Sequence, residues 1–136
     1  MSRIDTTVLG FDYGEKRVGV AVGQTITYTA SPLQIVRVRN RQPDWNVIND
    51  LVRQYEPRLL VVGLPINRDG TEHPLTVRVR RFRDQLLQRY QLPVQLIDER
   101  LSSHEANERL NGGDNELDAV AAQVILETWL NENRIA

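Results

Sequence analysis

Cysteine is absent from the 136-residue chain, which excludes disulfides, thiolate-held zinc and a cysteine nucleophile together. No apolar run approaches the ~20 residues of a membrane span, so no membrane partner is expected. The opening Met1-Ser2-Arg3-Ile4-Asp5 lacks the apolar stretch and small-residue cleavage site of a signal peptide, and a cytoplasmic location is the expectation. The two histidines, His73 and His104, have no cysteine companions and no paired helical spacing, so a turn role and a capping-region role are expected of them rather than zinc ligation. Lysine is nearly missing: Lys16 is the only one among 17 basic residues. Against 18 acidic residues the net charge is −1, which argues against a general nucleic-acid coat protein.

Hydrophobic content of 40% and charged content of 26% describe an ordinary globular protein, and the length suits one domain over residues 1–136. The arginines cluster at Arg37-Val38-Arg39-Asn40-Arg41 and Arg78-Val79-Arg80-Arg81-Phe82-Arg83. Their planar forks suit bidentate phosphate contacts, although either cluster taken alone is equally explained as a solvated face.

Three strands are expected first: Val8 to Asp12, Arg17 to Gly23 with its alternating valines, and a stretch around Leu33-Gln34-Ile35-Val36. The connection Tyr13-Gly14-Glu15-Lys16 is too short for a crossover and predicts an antiparallel hairpin. After Pro43 the apolar period turns helical through Trp45, Ile48, Leu51, Val52 and Tyr55 until Pro57. Leu59 to Gly63 then reads as a buried strand, Pro74 to Tyr90 as a helix and Val94 to Asp98 as the last strand. Ser102-Ser103-His104-Glu105 resembles a capping box opening a short helix to Leu110. A final helix from about Glu116 to Asn131 is apolar on more than one side and should be largely buried. The order predicts an α/β fold: a mixed five-stranded sheet, antiparallel meander plus parallel strands, with helices on both faces. The polar loop from Pro65 to His73 follows a parallel strand, where open sheets commonly place binding sites.

Three acids stand in apolar surroundings at element ends: Asp12 after Val8-Leu9-Gly10-Phe11, Glu99 after Leu96-Ile97-Asp98, and Asp118 before Ala119-Val120-Ala121-Ala122. Each alone has a local explanation, in a turn, an arginine pair or a helix N-terminus. Together they are better explained as one site, because a buried carboxylate is costly unless paired, hydrogen-bonded or metal-bound. Oxygen ligands suit Mg2+ or Mn2+, and two such ions about 3.5–4 Å apart would direct a water in line at a phosphodiester. Strand alternation sends Asp98 and Glu99 to opposite faces, so only one of them can join.

Gly10-Phe11-Asp12-Tyr13-Gly14-Glu15-Lys16-Arg17-Val18-Gly19-Val20-Ala21 resembles the opening motif of the YqgF family. Gly63-Leu64-Pro65 with Asp69-Gly70-Thr71-Glu72 is similar to its central loop, Asp98-Glu99-Arg100-Leu101-Ser102-Ser103 to its Asp-Glu-Arg signature, and Asp118-Ala119-Val120-Ala121-Ala122 to its final acidic helix start. The resemblance spans nearly the whole chain in order. It implies a ribonuclease-H-like fold, Holliday-junction resolvases as relatives, and a nuclease role in maturing the 5′ end of pre-16S rRNA. It makes Asp12, Glu99 and Asp118 the catalytic and metal-holding acids, and Lys16, Arg17 and Arg100 phosphate contacts. Gln24 replaces an acid found in many members, which implies no fourth carboxylate there, and the short acidic approach Asn111 to Glu116 implies either weaker binding to a four-way junction or a transfer of substrate grip to Arg78, Arg81 and a partner.

The leading expectation is therefore a Mg2+- or Mn2+-dependent endonuclease of ribosome biogenesis, acting on structured nucleic acid, most of all pre-16S rRNA, and on ribosomal particles, as a monomer or homodimer. A junction resolvase is the alternative within the same fold, and a non-catalytic assembly factor is the alternative outside catalysis. The Asp-x-Gly opening also resembles the phosphate loop of sugar kinases and actin-like ATPases, but those need two such domains, and no Gly-Lys-Ser/Thr loop is present. Trp45 and Trp129 are expected in the core rather than as base-stacking platforms.

Overall fold

The computed structural model describes residues 6–67, 69–98 and 114–133, with the backbone alone described over 114–118. The elements run β1 (Thr7–Tyr13), β2 (Arg17–Gln24), β3 (Thr29–Arg39), β4 (Gln42–Pro43), α1 (Trp45–Tyr55), β5 (Leu59–Leu64), α2 (Thr76–Tyr90), β6 (Val94–Asp98) and α3 (Asp114–Glu132). The strands form one sheet in the order β4-β3-β2-β1-β5-β6. β1, β2 and β3 pair antiparallel, whereas β5 joins β1 and β6 joins β5 in parallel. The mixed sheet, its opening meander and its helices on both faces agree with the expectation, and the fold is α/β.

The sheet has six strands rather than five. The additional one is the two-residue β4, which folds back on Val38 and Arg39 after Asn40 and Arg41 take left-handed backbone angles, φ 52° and 63°. Two residues leave no periodicity to read. β3 is also longer than its apolar centre: Ala21 pairs with Pro32 while Val20 pairs with Gln34, so Leu33 is an extra residue in a bulge. A proline that would end a regular central strand is accommodated there.

α1 begins where Asp44 Oδ1 accepts from the Asn46 N–H at 3.2 Å and closes on a left-handed Glu56, just before Pro57. α2 starts two residues after Pro74. α3 starts at Asp114, earlier than the expected Glu116, which puts Asp118 in its second turn rather than its first. The capping-box segment Ser102 to Leu110 lies outside the described residues.

Alternation along the strands divides two cores. Leu9, Phe11, Tyr13, Val18, Val20 and Val36 point toward α1 and α2, where Phe82 is the hub of an aromatic cluster. Trp45 stacks on Phe82 at 5.7 Å between ring centroids, as expected of a core residue. Val8, Ala21, Ala30, Val61 and Ile97 point the other way, against Ala122, Ile125, Leu126, Trp129 and Leu130 of α3. Trp129 is 9% exposed, and its Nε1–H donates to Gln95 Oε1 at 2.8 Å.

α3 can lie this close because glycines floor its track. A Cβ on Gly10 would stand 3.0 Å from Leu126 Cβ and 3.4 Å from the Ala122 carbonyl oxygen. One on Gly23, which pairs with Val8, would stand 2.9 Å from Leu126 Cδ2 and 3.2 Å from Leu130 Cδ1. Moving up β1 thus moves down α3: the two run antiparallel, and the N-terminal turns of α3 approach the C-terminal end of β1.

Candidate active site

Asp12 occupies that end. Its neighbours Phe11 and Tyr13 point into the core beneath α1 and α2, so alternation turns Asp12 to the α3 face, in line with Val8 and Gly10. It is half-buried, and its cross-strand partner on β2 is Gly19, which puts no side chain beside the carboxylate. One further step along the track that places Gly10 under Ala122 and Leu126 brings Asp12 toward the second turn of α3, the position of Asp118. The Asp118 side chain, Glu99 and Arg100 lie outside the described residues.

Asp98 is described and is on the wrong face. Ile97 packs against α3, whereas Val94 and Leu96 pack toward α1 and α2, so Asp98 turns with the latter, away from Asp12. Among the described residues no three His, Cys, Asp or Glu side chains gather into a metal-holding group. What the described site offers a metal is a carboxylate oxygen, a hard donor that suits Mg2+ or Mn2+.

The β1–β2 hairpin brings Lys16 and Arg17 to the same end of the sheet. Gly14 makes its tight turn: the Gly14 N–H donates to the Arg17 carbonyl at 2.9 Å, and a Cβ on Gly14 would stand 2.8 Å from that same oxygen. The second cationic strip contributes differently. Arg78 and Arg81 stand near Tyr13, where their charges favour the phenolate while the larger effect, burial, pushes its pKa up. Tyr13 is on the α1/α2 face, so these arginines reach the same sheet end as Asp12 from the opposite side.

The loop after β5 is locally self-satisfied. Asn67 Nδ2 donates to Thr71 Oγ1 at 3.0 Å and to the Glu72 carbonyl at 3.2 Å, around a left-handed Gly70 with φ 89°. Hydrogen bonds from the Thr71 hydroxyl and then its N–H hold the exposed Asp69 below the usual carboxylate range. His73 Nδ1 accepts from the Leu75 N–H at 3.0 Å, the turn role expected of it; His104 is outside the described residues. Sequence reasoning left the Arg37 cluster open between phosphate contact and a solvated face, and did not relate it to Asp12. Its signal is the pairing of Arg37 with Arg17 across β2 and β3, a relation that becomes visible only with the register.

The chain is similar to known proteins in sequence and in fold. The family model described as RuvX, Holliday junction resolvase, matches residues 6–132. A protein of Nitrosococcus oceani named "Putative pre-16S rRNA nuclease" is 50% identical over 133 residues, covering 93% of this chain and 88% of its own. Its namesakes from Hydrogenovibrio crunogenus and Klebsiella pneumoniae are 48% and 46% identical, covering 94% and 93% of this chain and 96% and 97% of their own. In fold, the chain is similar to Thermus thermophilus RuvC in complex with a Holliday junction substrate, with a TM-score of 0.59 at 14% identity over 93% of this chain and 94% of that one. The fowlpox virus Holliday junction resolvase gives 0.54 at 16% identity, over 93% and 99%.

Proposed function

Because the chain belongs to the RuvX family of resolvase-like nucleases, hydrolases that act on nucleic acid, we propose that it is a divalent-metal-dependent endonuclease that cleaves precursor 16S rRNA during 5′-end maturation. The observation that carries this reading is Asp12: a half-buried carboxylate at the end of the central strand, facing a glycine, on the face that α3 approaches with its N-terminal turns. Asp12 with Glu99 and Asp118 would hold Mg2+ or Mn2+, making this an all-oxygen site. When bound, such ions supply a water of lowered pKa and stabilise charge on the leaving oxygen.

The chain's own residues have separate tasks. Asp12 pairs with Gly19 on β2 and directly follows Phe11, which pairs with Val62 on β5, so its carboxylate is carried by a strand rather than by a loop. Asp118 would come from α3, whose position depends on direct packing over Gly10. Lys16, Arg17 and Arg100 would engage phosphates next to the scissile bond, with Arg78 and Arg81 receiving the strand from the opposite side. Neither histidine takes part. No described helix is long and apolar enough to cross a membrane, and we place the protein's work in the cytoplasm, on RNA or ribosomal particles, as a monomer or homodimer.

A second reading, resolution of Holliday junctions, follows from the family model's own description and requires a dimer to cut opposing strands. The two readings separate on substrate. Purified protein is incubated with a pre-16S leader RNA and with a synthetic four-way DNA junction, in magnesium, manganese or chelator. The proposal expects divalent-dependent RNA cleavage; symmetric junction cutting with intact RNA would replace it with the resolvase reading. Binding without cleavage of either would leave a non-catalytic assembly factor.

A further inference from the structure

Arg17 on β2 pairs with Arg37 on β3, and the residues beside them, Val18 and Val36, both point into the core beneath α1 and α2. Alternation therefore turns Arg17, Arg37 and, two residues on, Arg39 to the opposite face, which is the face of Asp12. The register continues this row inward: Asp12 pairs with Gly19, and Gly19 with Ile35. α3 covers the other end of this face, over Val8, Ala21 and Ala30. Among the described residues, the end of this face beyond α3 carries Asp12, Ile35 and the arginines.

With about 4.8 Å between strands and about 3.4 Å per residue along them, Arg37 lies two strands across and two residues beyond the Asp12 row, about 12 Å away. Arg39 is about 17 Å away by the same geometry. Lys16, Arg17, Ile35, Arg37, Val38 and Arg39 line a shallow hollow of about 530 Å3, with no acid in its wall among the described residues. A second hollow of about 350 Å3 continues it past Arg37 and Arg39 to Gln42, Pro43 and Asp44. The acid there, Asp44, is engaged as the cap of α1. Among the described residues no acid pairs with Lys16, Arg37 or Arg39. Three of the five arginines of α2 differ: Arg80 is paired with Glu72, Arg83 with Asp84 at 2.7 Å, and Arg89 lies 4.0 Å over the Trp45 ring.

We propose that the β3 arginines Arg37 and Arg39, continued by Lys16 and Arg17 of the hairpin, form a phosphate track that grips the nucleic-acid backbone flanking the scissile bond held at Asp12. This deepens the nuclease reading and rests on it. Charge and position select the occupant. It must be polyanionic to fill a concavity walled by four cations, and extended to reach from Arg39 to Asp12. At ~3.4 Å of rise per nucleotide, Arg37 meets the backbone three to four nucleotides from the cut. Such contacts set register and affinity and carry no sequence information. They act before the chemical step, so their loss belongs in KM and not in kcat.

The test is the double variant Arg37→Gln/Arg39→Gln, with Arg53→Gln on the exposed face of α1 as a control for charge loss elsewhere. Binding of a fluorescent pre-16S leader RNA, measured in chelator, is titrated with salt, and cleavage kinetics are measured with the metal restored. Each lost phosphate contact lowers the slope of log affinity against log salt by about 0.7–0.9. For the double variant, the affinity loss between about 50 and about 200 mM salt should shrink by about seven- to twelvefold. KM should rise about tenfold or more at low salt, with kcat within about twofold and Arg53→Gln indistinguishable from wild type. Equal slopes and KM in wild type and double variant, with RNA still bound and cleaved, would overturn the track and leave the nuclease reading standing. Wild-type protein that neither binds nor cleaves RNA would overturn both.

Discussion

Gly10→Ala puts two opposing effects on one atom. Removing a glycine from a strand stabilises by about 0.4–1 kcal/mol, through lower entropy of the unfolded chain. The new methyl would stand 3.0 Å from Leu126 Cβ and 3.4 Å from the Ala122 carbonyl oxygen, both rigid parts of α3. Neither can rotate away, so the helix must lift by several tenths of an ångström, an overpacking cost of about 1–3 kcal/mol. Taken at the middle of both ranges, the net loss is about 1–2 kcal/mol. For a domain of this size each kcal/mol moves Tm by about 3–5 °C, giving a fall of about 3–10 °C by differential scanning calorimetry. Activity should fall further than stability, about tenfold to a hundredfold in kcat below Tm, because α3 carries Asp118 and misplacement approaching 1 Å at a catalytic group has that scale of effect. Gly23→Ala is the internal comparison: its Cβ meets the mobile ends of Leu126 and Leu130, which can repack, so its penalty should be smaller. A Gly10→Ala protein as stable and as active as wild type would refute the close packing of α3 on β1 and the placement of Asp118 that follows from it.

Phe82, 1% exposed and in ring contact with Phe11, Tyr13 and Trp45, should cost about 3–5 kcal/mol when changed to alanine, read from the urea midpoint at constant m-value. Tyr13 and Tyr90 should ionise above the ordinary tyrosine value of 10.0, because burial is the largest influence on each. Their folded pKa values are raised, so their contribution to stability is complete below the unfolded pKa and lost as pH rises through the folded values; absorbance of tyrosinate during alkaline titration checks this.

Much of the architecture was legible because its signals are local. The run from Val8 to Phe11 with Asp12 at its end, the short hairpin, and the prolines flanking α1 each mark an element by patterning or turn chemistry. The all-round apolarity of α3 was readable too, and the glycines beneath it explain why it can be buried so deeply. What escaped depends on pairing. β4 is two residues long, and the bulge at Leu33 lets the ladder continue through Pro32, where propensity alone would stop it. The same register decides that Arg37 shares a face with Asp12 while Arg78 and Arg81 approach from the other side. Two arginine clusters of similar composition are thus separated only by topology. Asp98 and Glu99 were distinguished in principle by alternation, and the packing of Ile97 on α3 fixes the face to which Asp98 does not belong.

The central claim is that a carboxylate on the α3 face at the end of β1 holds the catalytic metal. The most direct measurement is cleavage of pre-16S leader RNA in manganese by wild type, Asp12→Asn and Asp98→Asn, each shown to be folded by circular dichroism. The account predicts that Asp12→Asn loses at least about a hundredfold in kcat, the scale of several kcal/mol of metal-borne stabilisation. Asp98→Asn, on the opposite face, should keep activity within about a few-fold of wild type. Undiminished cleavage by Asp12→Asn, or abolition by Asp98→Asn in a folded protein, would contradict the account.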